Sequence, residues 1–413
     1  MAAANVASNI LSIVLFIYLA RTLEPENFGL LSYIFTLVFF LTNFVDLGLS
    51  VYGTREVARS GSRAGEYVSG IVSFRLVIAS ILFLFFILSG FISRDVHHLK
   101  YLMLGSSLVF FMWALGSEWA FQGLEKMHMV FISTTVTGML QLGLVMWSVR
   151  SPSDISKVPV LYMVASLPMA AVLLGRLGFM LKLKLEELRR IATFLTSSFT
   201  IWAIAIFAQI YNSLDIFILG LSRTPEEVGY YTVARRIIAT IAGLFAFLAG
   251  AVFPSLSSSA SGRDVERFRS STKKFLGLSI FLSLSVLVPM AIFGTDVIKM
   301  IVGSEYSPAG TPLKIMAAAL LFILFNLPFS TGLIASGHEK DVLKQAFASA
   351  VLSVSSNFIL MPRYGMIGGS ISFLLAESLA LIWILILYRS RIINPLTKAQ
   401  GFIMSLSKDK KGE

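Results

Sequence analysis

Apolar stretches of roughly 18 to 25 residues, each long enough to cross about 30 Å of hydrocarbon as an α-helix, follow one another along nearly the whole chain with short polar connections between them. Their positions predict twelve membrane spans, near 2–20, 28–50, 68–92, 101–121, 130–149, 158–181, 194–219, 230–256, 275–294, 313–336, 343–361 and 366–388. The first run has no basic residues ahead of it and Arg21 behind it, so it reads as a span and not as a cleavable signal. Pro168, Pro254, Pro289 and Pro328 fall inside spans, where the freed carbonyls need other partners and kinks are expected.

The polar connections repeat. Leu23-Glu24-Pro25-Glu26-Asn27-Phe28-Gly29-Leu30-Leu31-Ser32 recurs as Arg223-Thr224-Pro225-Glu226-Glu227-Val228-Gly229-Tyr230-Tyr231-Thr232, an ungapped offset of 200 residues. A second echo sets Gly123-Leu124-Glu125-Lys126 against Gly337-His338-Glu339-Lys340, at an offset of 214. Duplicated halves of a membrane protein point to a transporter. Gly29 and Gly229, just after each Pro-Glu turn, read as positions for a tight turn or close helix approach.

Composition adds that 56% hydrophobic and 14% charged residues leave no room for a soluble domain. The fold class expected is an all-α membrane protein, with twelve transmembrane helices in two six-helix bundles related by a pseudo-two-fold axis along the membrane normal. Charge then orients it. With cytoplasmic termini, 22 basic residues fall in inner segments and nine in outer ones, leaving Arg75, Arg235 and Arg236 within spans. The expected organisation is an N-terminal lobe at 1–181, a basic cytoplasmic linker at 182–190, a C-terminal lobe at 191–390 and a basic cytoplasmic tail at 391–413. Basic residues placed by membrane orientation give no reason to expect nucleic-acid binding. The absence of cysteine excludes disulfides and thiolate chemistry.

Ionisable groups inside spans are costly and by default face a cavity. They are Asp46, Arg75, Glu118, Asp215, Arg235, Arg236 and Glu377. Helical spacing gathers Asn5/Asn9/Ser12, Asn43/Asp46/Ser50 and Asn212/Asp215 onto single faces, lining a cavity or bonding neighbouring helices. A guanidinium in a low-dielectric cavity can grip a phosphate or diphosphate bidentately, which makes Arg235 the first substrate-binding candidate and Arg236 the second. The alternative is that one of them pairs with a span carboxylate such as Asp215. Asn43 and Asn212 are further lining candidates; Asp215, Asp46, Glu118 and Glu377 are the groups that would hold a coupling ion or orient an arginine. Arg75, about two turns inside the cytoplasmic edge, is expected to snorkel to the interface.

No G-x-x-x-x-G-K-[ST] loop, no H-E-x-x-H and no metal-spaced cluster is found, so no catalytic residue, cofactor or metal is assigned. His97 and His98 lie in a short outer loop and read as solvated.

Around Leu19-Ala20-Arg21-Thr22-Leu23, Pro25 to Gly29, Asp215 to Gly220 and Val228 to Arg236, the chain resembles the polysaccharide (Wzx-type) flippases of the multidrug/oligosaccharidyl-lipid/polysaccharide exporter superfamily. The resemblance covers essentially the whole chain. It implies export of a polyprenyl-diphosphate-linked oligosaccharide by alternating access in the cytoplasmic membrane. A cationic cavity would take the sugar-diphosphate head, with Arg235 and Arg21 corresponding to cationic positions. The partners implied are the lipid-linked oligosaccharide, membrane lipids, a glycan polymerase and glycosyltransferases, with the protein working as a monomer. Two other readings stay open: a multidrug or metabolite cation antiporter of the same superfamily, which would favour an acidic cavity, and a membrane glycan-processing enzyme.

Overall fold

A computed structural model describes residues 2–60, 63–92, 97–181, 191–261 and 265–393. The linker at 182–190 and most of the tail lie outside the described residues, as do the side chains of Asn5, Asn212, His97 and His98. The described secondary structure is helical throughout. In chain order the α-helices are α1 (Ala2–Asp46), α2 (Leu49–Ser60), α3 (Ala64–Ile92), α4 (His97–Ser107), α5 (Val109–Leu115), α6 (Glu118–Gly123) and α7 (Met127–Ser148). They continue with α8 (Lys157–Leu181), α9 (Ile191–Ser222), α10 (Pro225–Ser261), α11 (Val265–Val302), α12 (Gly310–Ala335) and α13 (Glu339–Tyr388).

Nine segments among the described residues are long and apolar enough to cross a bilayer. Large apolar side chains stand exposed along them, including Phe179 at 93%, Met300 at 76% and Trp147 at 72%. Such surface is stable only against lipid or a partner, and with the spans it makes this a multi-pass membrane protein. Two of the nine, Ser8–Ser60 and Glu339–Ile392, run to 53 and 54 residues. As straight helix each would be about 80 Å long, against roughly 30 Å of hydrocarbon. Both contain a backbone break.

The breaks have sequence causes. Glu24 adopts φ 61°, ψ 168°, outside the helical region that a residue before proline avoids. Pro25 then opens the next helical stretch, where its missing N–H costs nothing. Pro225 likewise opens α10, with Glu226 and Glu227 in the first turn favoured by the helix dipole. Gly365 breaks α13 at φ 56°, ψ −137°, a conformation suited to glycine. Chain reversal there brings Gly368 against the Leu360 carbonyl and Gly369 against Met361 and Tyr231, with no room for a Cβ. The breaks therefore fall at Glu24 and Gly365 and not at Pro168, Pro254, Pro289 or Pro328, which sit inside helices.

The fourth expected span is one of the nine segments, Lys100–Gly123, built from three short helices and interrupted chiefly at Gly116-Ser117. The second echo is shifted. Lys126 N–H bonds the Phe121 carbonyl and His338 N–H the Leu333 carbonyl, both at 2.9 Å. These are matching left-handed helix ends, with Glu125 at φ 59° and Gly337 at φ 81°. Gly337 thus corresponds to Glu125, two residues out of register with the sequence echo, because the left-handed residue fixes where a helix stops.

The chain forms two compact units, Met1–Gly229 and Tyr230–Glu413. In the first, Leu49, Tyr52, Ile71, Trp119, Phe121 and Leu173 build one core among α2, α3, α6 and α8. Gly53 and Gly123 let α2 and α6 touch, since a Cβ on either would meet Trp119 or Val57. Within the same unit the two copies of the repeated turn meet reciprocally. A Cβ on Gly29 would strike the Pro225 carbonyl and the Gly229 nitrogen; one on Gly229 would strike the Pro25 carbonyl. In the second unit Leu256, Phe268, Leu333, Ile384 and Tyr388 form a separate cluster.

Candidate functional site

Arg75 organises the charged groups of the first unit. It lies on α3 with its side chain 3% exposed, so it does not snorkel to an interface as its position in the sequence suggests. Two helix interruptions hold it instead. At the first, α1 ends at Asp46 and the chain passes through left-handed Leu47 (φ 46°) and Gly48 (φ 74°) before α2. A carboxylate at a helix C-terminus is disfavoured by the dipole and needs a cation. Arg75 Nη2 supplies it, ion-paired to Asp46 Oδ1, and also donates to Ser50 Oγ at 2.7 Å. Asp46 Oδ1 in turn accepts from Ser50 N–H at 3.2 Å and Ser50 Oγ–H at 2.7 Å, closing the first turn of α2. At the second interruption, Gly116 leaves helical dihedrals at ψ 115°, and its carbonyl accepts from Arg75 Nη1 at 3.1 Å. The guanidinium carbon lies 5.4 Å from the Trp119 ring centroid.

Glu118 joins the group from the start of α6. Its Oε1 accepts from the buried Ser133 hydroxyl of α7 at 2.8 Å. Arg75 and Glu118 line one cavity of about 380 Å³ with Thr54, Trp113, Trp119 and Gln141. Two carboxylates face one guanidinium here. Such a balance disfavours phosphate and suits a cation, a proton or a neutral polar molecule.

The expected anion-gripping residues lie elsewhere. Arg235, in the second unit, is half-buried with its guanidinium carbon 4.3 Å from the Phe373 ring centroid. A cation over an aromatic face is stabilised by about 0.5–2 kcal/mol. Arg236 is exposed, and Glu377, one turn past Phe373 on α13, is half-buried. In the first unit Arg21 is exposed, whereas Asp215 on α9 is 5% exposed and accepts from the Ile216 N–H at 2.8 Å. Asn43 donates to the Phe39 and Phe40 carbonyls of its own helix at 3.2 and 3.0 Å. Of the predicted site residues, the structure thus gathers Asp46 and Glu118 around Arg75. Asn9 and Ser12 are exposed.

The family model described as polysaccharide biosynthesis protein matches residues 1–260, and the MatE model matches residues 201–359. The putative O-antigen transporter of Escherichia coli (strain K12) is 24% identical over 395 residues, covering 92% of this chain and 93% of its own. The capsular polysaccharide biosynthesis protein CapF of Staphylococcus aureus is 24% identical over 391 residues, covering 92% and 95%. Among solved structures, the lipid II flippase MurJ in an inward closed conformation superposes with a TM-score of 0.75 at 17% identity, covering 93% of this chain and 86% of that one. An inward-facing multidrug resistance MATE family transporter of the MOP superfamily gives 0.69 at 14% identity, covering 93% and 95%. These structural likenesses give the fold.

Proposed function

Because the chain belongs to the polysaccharide biosynthesis protein family, matched over residues 1–260, we propose that it is a flippase for lipid-linked oligosaccharide. The substrate is a polyprenyl-diphosphate-linked glycan unit, moved across the cytoplasmic membrane by alternating access. The observation that carries this reading is the family match, together with relatives named O-antigen transporter and capsular polysaccharide biosynthesis protein over nine-tenths of the chain. It acts as a transporter and not as an enzyme, working as a monomer among membrane lipids, with glycan polymerase and glycosyltransferases as its neighbours in the pathway.

In this reading the two longest apolar segments each cross twice, at the Glu24 and Gly365 breaks. With the apolar α9, that favours twelve spans in two six-helix bundles related by a pseudo-two-fold axis along the membrane normal. The bundles are residues 1–181 and 191–390, joined by a cytoplasmic linker at 182–190 and followed by a cytoplasmic tail at 391–413. Both termini face the cytoplasm, as the basic-residue bias supports.

Arg235 takes the diphosphate, steadied on Phe373, with Arg236, Arg21, Asn212 and Asn43 as further head-group contacts. Asp46 orients Arg75, and Asp215, Glu118 and Glu377 are the carboxylates offered to a coupling ion. The test is complementation of a flippase-null strain, scored by surface glycan at matched expression. Arg235→Ala abolishes export, and Arg235→Lys recovers part of it because lysine keeps the charge but loses the planar fork. Full export by Arg235→Ala would move the anion site elsewhere.

A multidrug cation antiporter is the second reading, favoured by one observation: the carboxylate excess around Arg75. Drug resistance conferred on a sensitive strain, without glycan export, would select it.

A further inference from the structure

We propose that one end of the second unit, where α11 begins and α13 both begins and ends, is a docking surface for the headgroups of anionic phospholipids. The proposal rests on the flippase reading only for the leaflet concerned, the cytoplasmic one.

A buried apolar cluster gathers this end. Phe268 near the start of α11 and Leu333 near the end of α12 pack with Tyr388, which closes α13, and with Ile392 just beyond it; the partly buried Val342 joins from the start of α13. The Tyr388 hydroxyl donates to Thr272 Oγ1 at 3.5 Å, tying the end of α13 to α11. Segments far apart in sequence therefore present their polar residues on one rim.

That rim is basic. Arg267, Arg269, Lys273 and Lys274 stand exposed on the opening turns of α11, around the buried Phe268, Thr272 and Phe275. Exposed Lys340 and Lys344 join from the start of α13, and exposed Arg389 and Arg391 from the turn that follows its end. Against these eight cations the same segments carry three acids, Glu266, Glu339 and Asp341. One Asp341 oxygen takes Lys344 Nζ at 3.6 Å and the other takes Arg391 Nε at 2.9 Å. Two cations from either end of α13 are thus drawn to a single carboxylate, with their side chains still 74% and 51% exposed. Membrane orientation requires only that basic residues be numerous on one side; it does not require them to converge. Converging like charges repel, and an anion seated among them removes the repulsion.

The surface beneath the rim identifies the anion. Below Lys274, Leu278 and Phe281 stand exposed on the same face of α11, and below Lys340, Leu343 and Phe347 do so on α13. Exposed Ile382 and Ile386 lead up to Arg389 in the same way. Each face therefore carries a cation at the rim and apolar side chains one to two turns deeper. An acidic soluble protein would cover the charges and leave the apolar surface bare. A phospholipid covers both, its phosphate against the cations and its acyl chains against Phe281 and Phe347. Length agrees: the 38 residues of α11 make a helix of roughly 57 Å. That exceeds about 30 Å of hydrocarbon, so the basic opening turns reach the headgroup layer.

The test titrates the purified full-length protein in detergent micelles with phosphatidylglycerol, phosphatidylcholine or glycerol phosphate and counts bound lipid by native mass spectrometry. Phosphatidylglycerol binds about tenfold or more tighter than phosphatidylcholine, and excess glycerol phosphate does not displace it. Two neutralised sets are compared, each checked for an unchanged melting temperature: Arg267→Gln, Arg269→Gln, Lys273→Gln and Lys274→Gln together, and Lys340→Gln with Lys344→Gln. Both weaken phosphatidylglycerol binding by about tenfold or more, each lost cation being equivalent to roughly fivefold. Arg267→Lys with Arg269→Lys keeps the charge and the binding, which separates charge from fold. Lys408→Gln, Lys410→Gln and Lys411→Gln in the tail, made together, leave binding as it is in the wild type. The proposal is overturned if the two lipids bind alike, if both neutralised sets bind as wild type does, if the tail variant loses as much as they do, or if glycerol phosphate displaces the lipid. Any of these removes the docking surface and leaves the flippase reading to complementation, which does not depend on it.

Discussion

Arg75 and Asp46 hold each other in place, and removing either leaves the other charge stranded. Losing one member of a buried ion pair costs about 3–5 kcal/mol, toward the lower figure here because Asp46 is 21% exposed. Arg75→Ala should therefore lower the melting temperature of the purified protein and its yield in the membrane. Arg75→Met combined with Asp46→Leu should recover much of both, since matched apolar replacements remove the stranded charge. A single Arg75→Ala variant that melts as wild type does would show that the pair contributes nothing to the fold. The carboxylates of this site were legible in the sequence, because any charge inside a span needs a reason to be there. The arginine was not. Its depth in α3 suggested snorkelling, and what buries it is the pair of helix interruptions at Leu47-Gly48 and Gly116-Ser117, which apolar periodicity does not reveal. Gly48 and Gly116 were the available signal, and glycine is too common in membrane helices to stand out.

Helices end and restart in this chain where local backbone chemistry demands it, and those points invite direct tests. Glu24 occupies a region of φ/ψ space that is nearly reserved for glycine, a strain of about 1–3 kcal/mol. Glycine would relieve it at a cost of roughly 0.5–1 kcal/mol in chain entropy. Glu24→Gly should accordingly raise the melting temperature, and a fall would mean that the glutamate side chain contributes more than its strain. Gly29→Ala and Gly229→Ala should each destabilise, because the added methyl meets backbone of the opposite turn and not a movable side chain. Made together they should cost less than the sum of the two, since both disturb one shared contact; strict additivity in thermal unfolding would count against that contact. Most elements could be read from the apolar runs alone, as the lengths of α7, α8 and α12 show. The stretch 100–123 is likewise one apolar segment, as its run predicts; its division into three short helices is not visible in the run, because the composition stays apolar across the interruptions.

At the scale of the whole molecule the basic-residue bias makes a prediction independent of any site. Single cysteines placed at Ser153 or Thr224 of this cysteine-free chain should react with an impermeant maleimide added outside intact cells. Cysteines at Ala58 or Ser258 should react only after permeabilisation. Labelling in the opposite sense would invert the proposed orientation. The same scale gives meaning to the reciprocal meeting of Pro25 with Gly229 and Pro225 with Gly29. The two turns meet as like surfaces meet across a two-fold seam, each glycine of one copy set against the proline carbonyl of the other. A substitution in either turn is therefore felt by both, and the Pro-Glu-x-x-Gly pattern repeated at a spacing of 200 lies where its two copies press on each other.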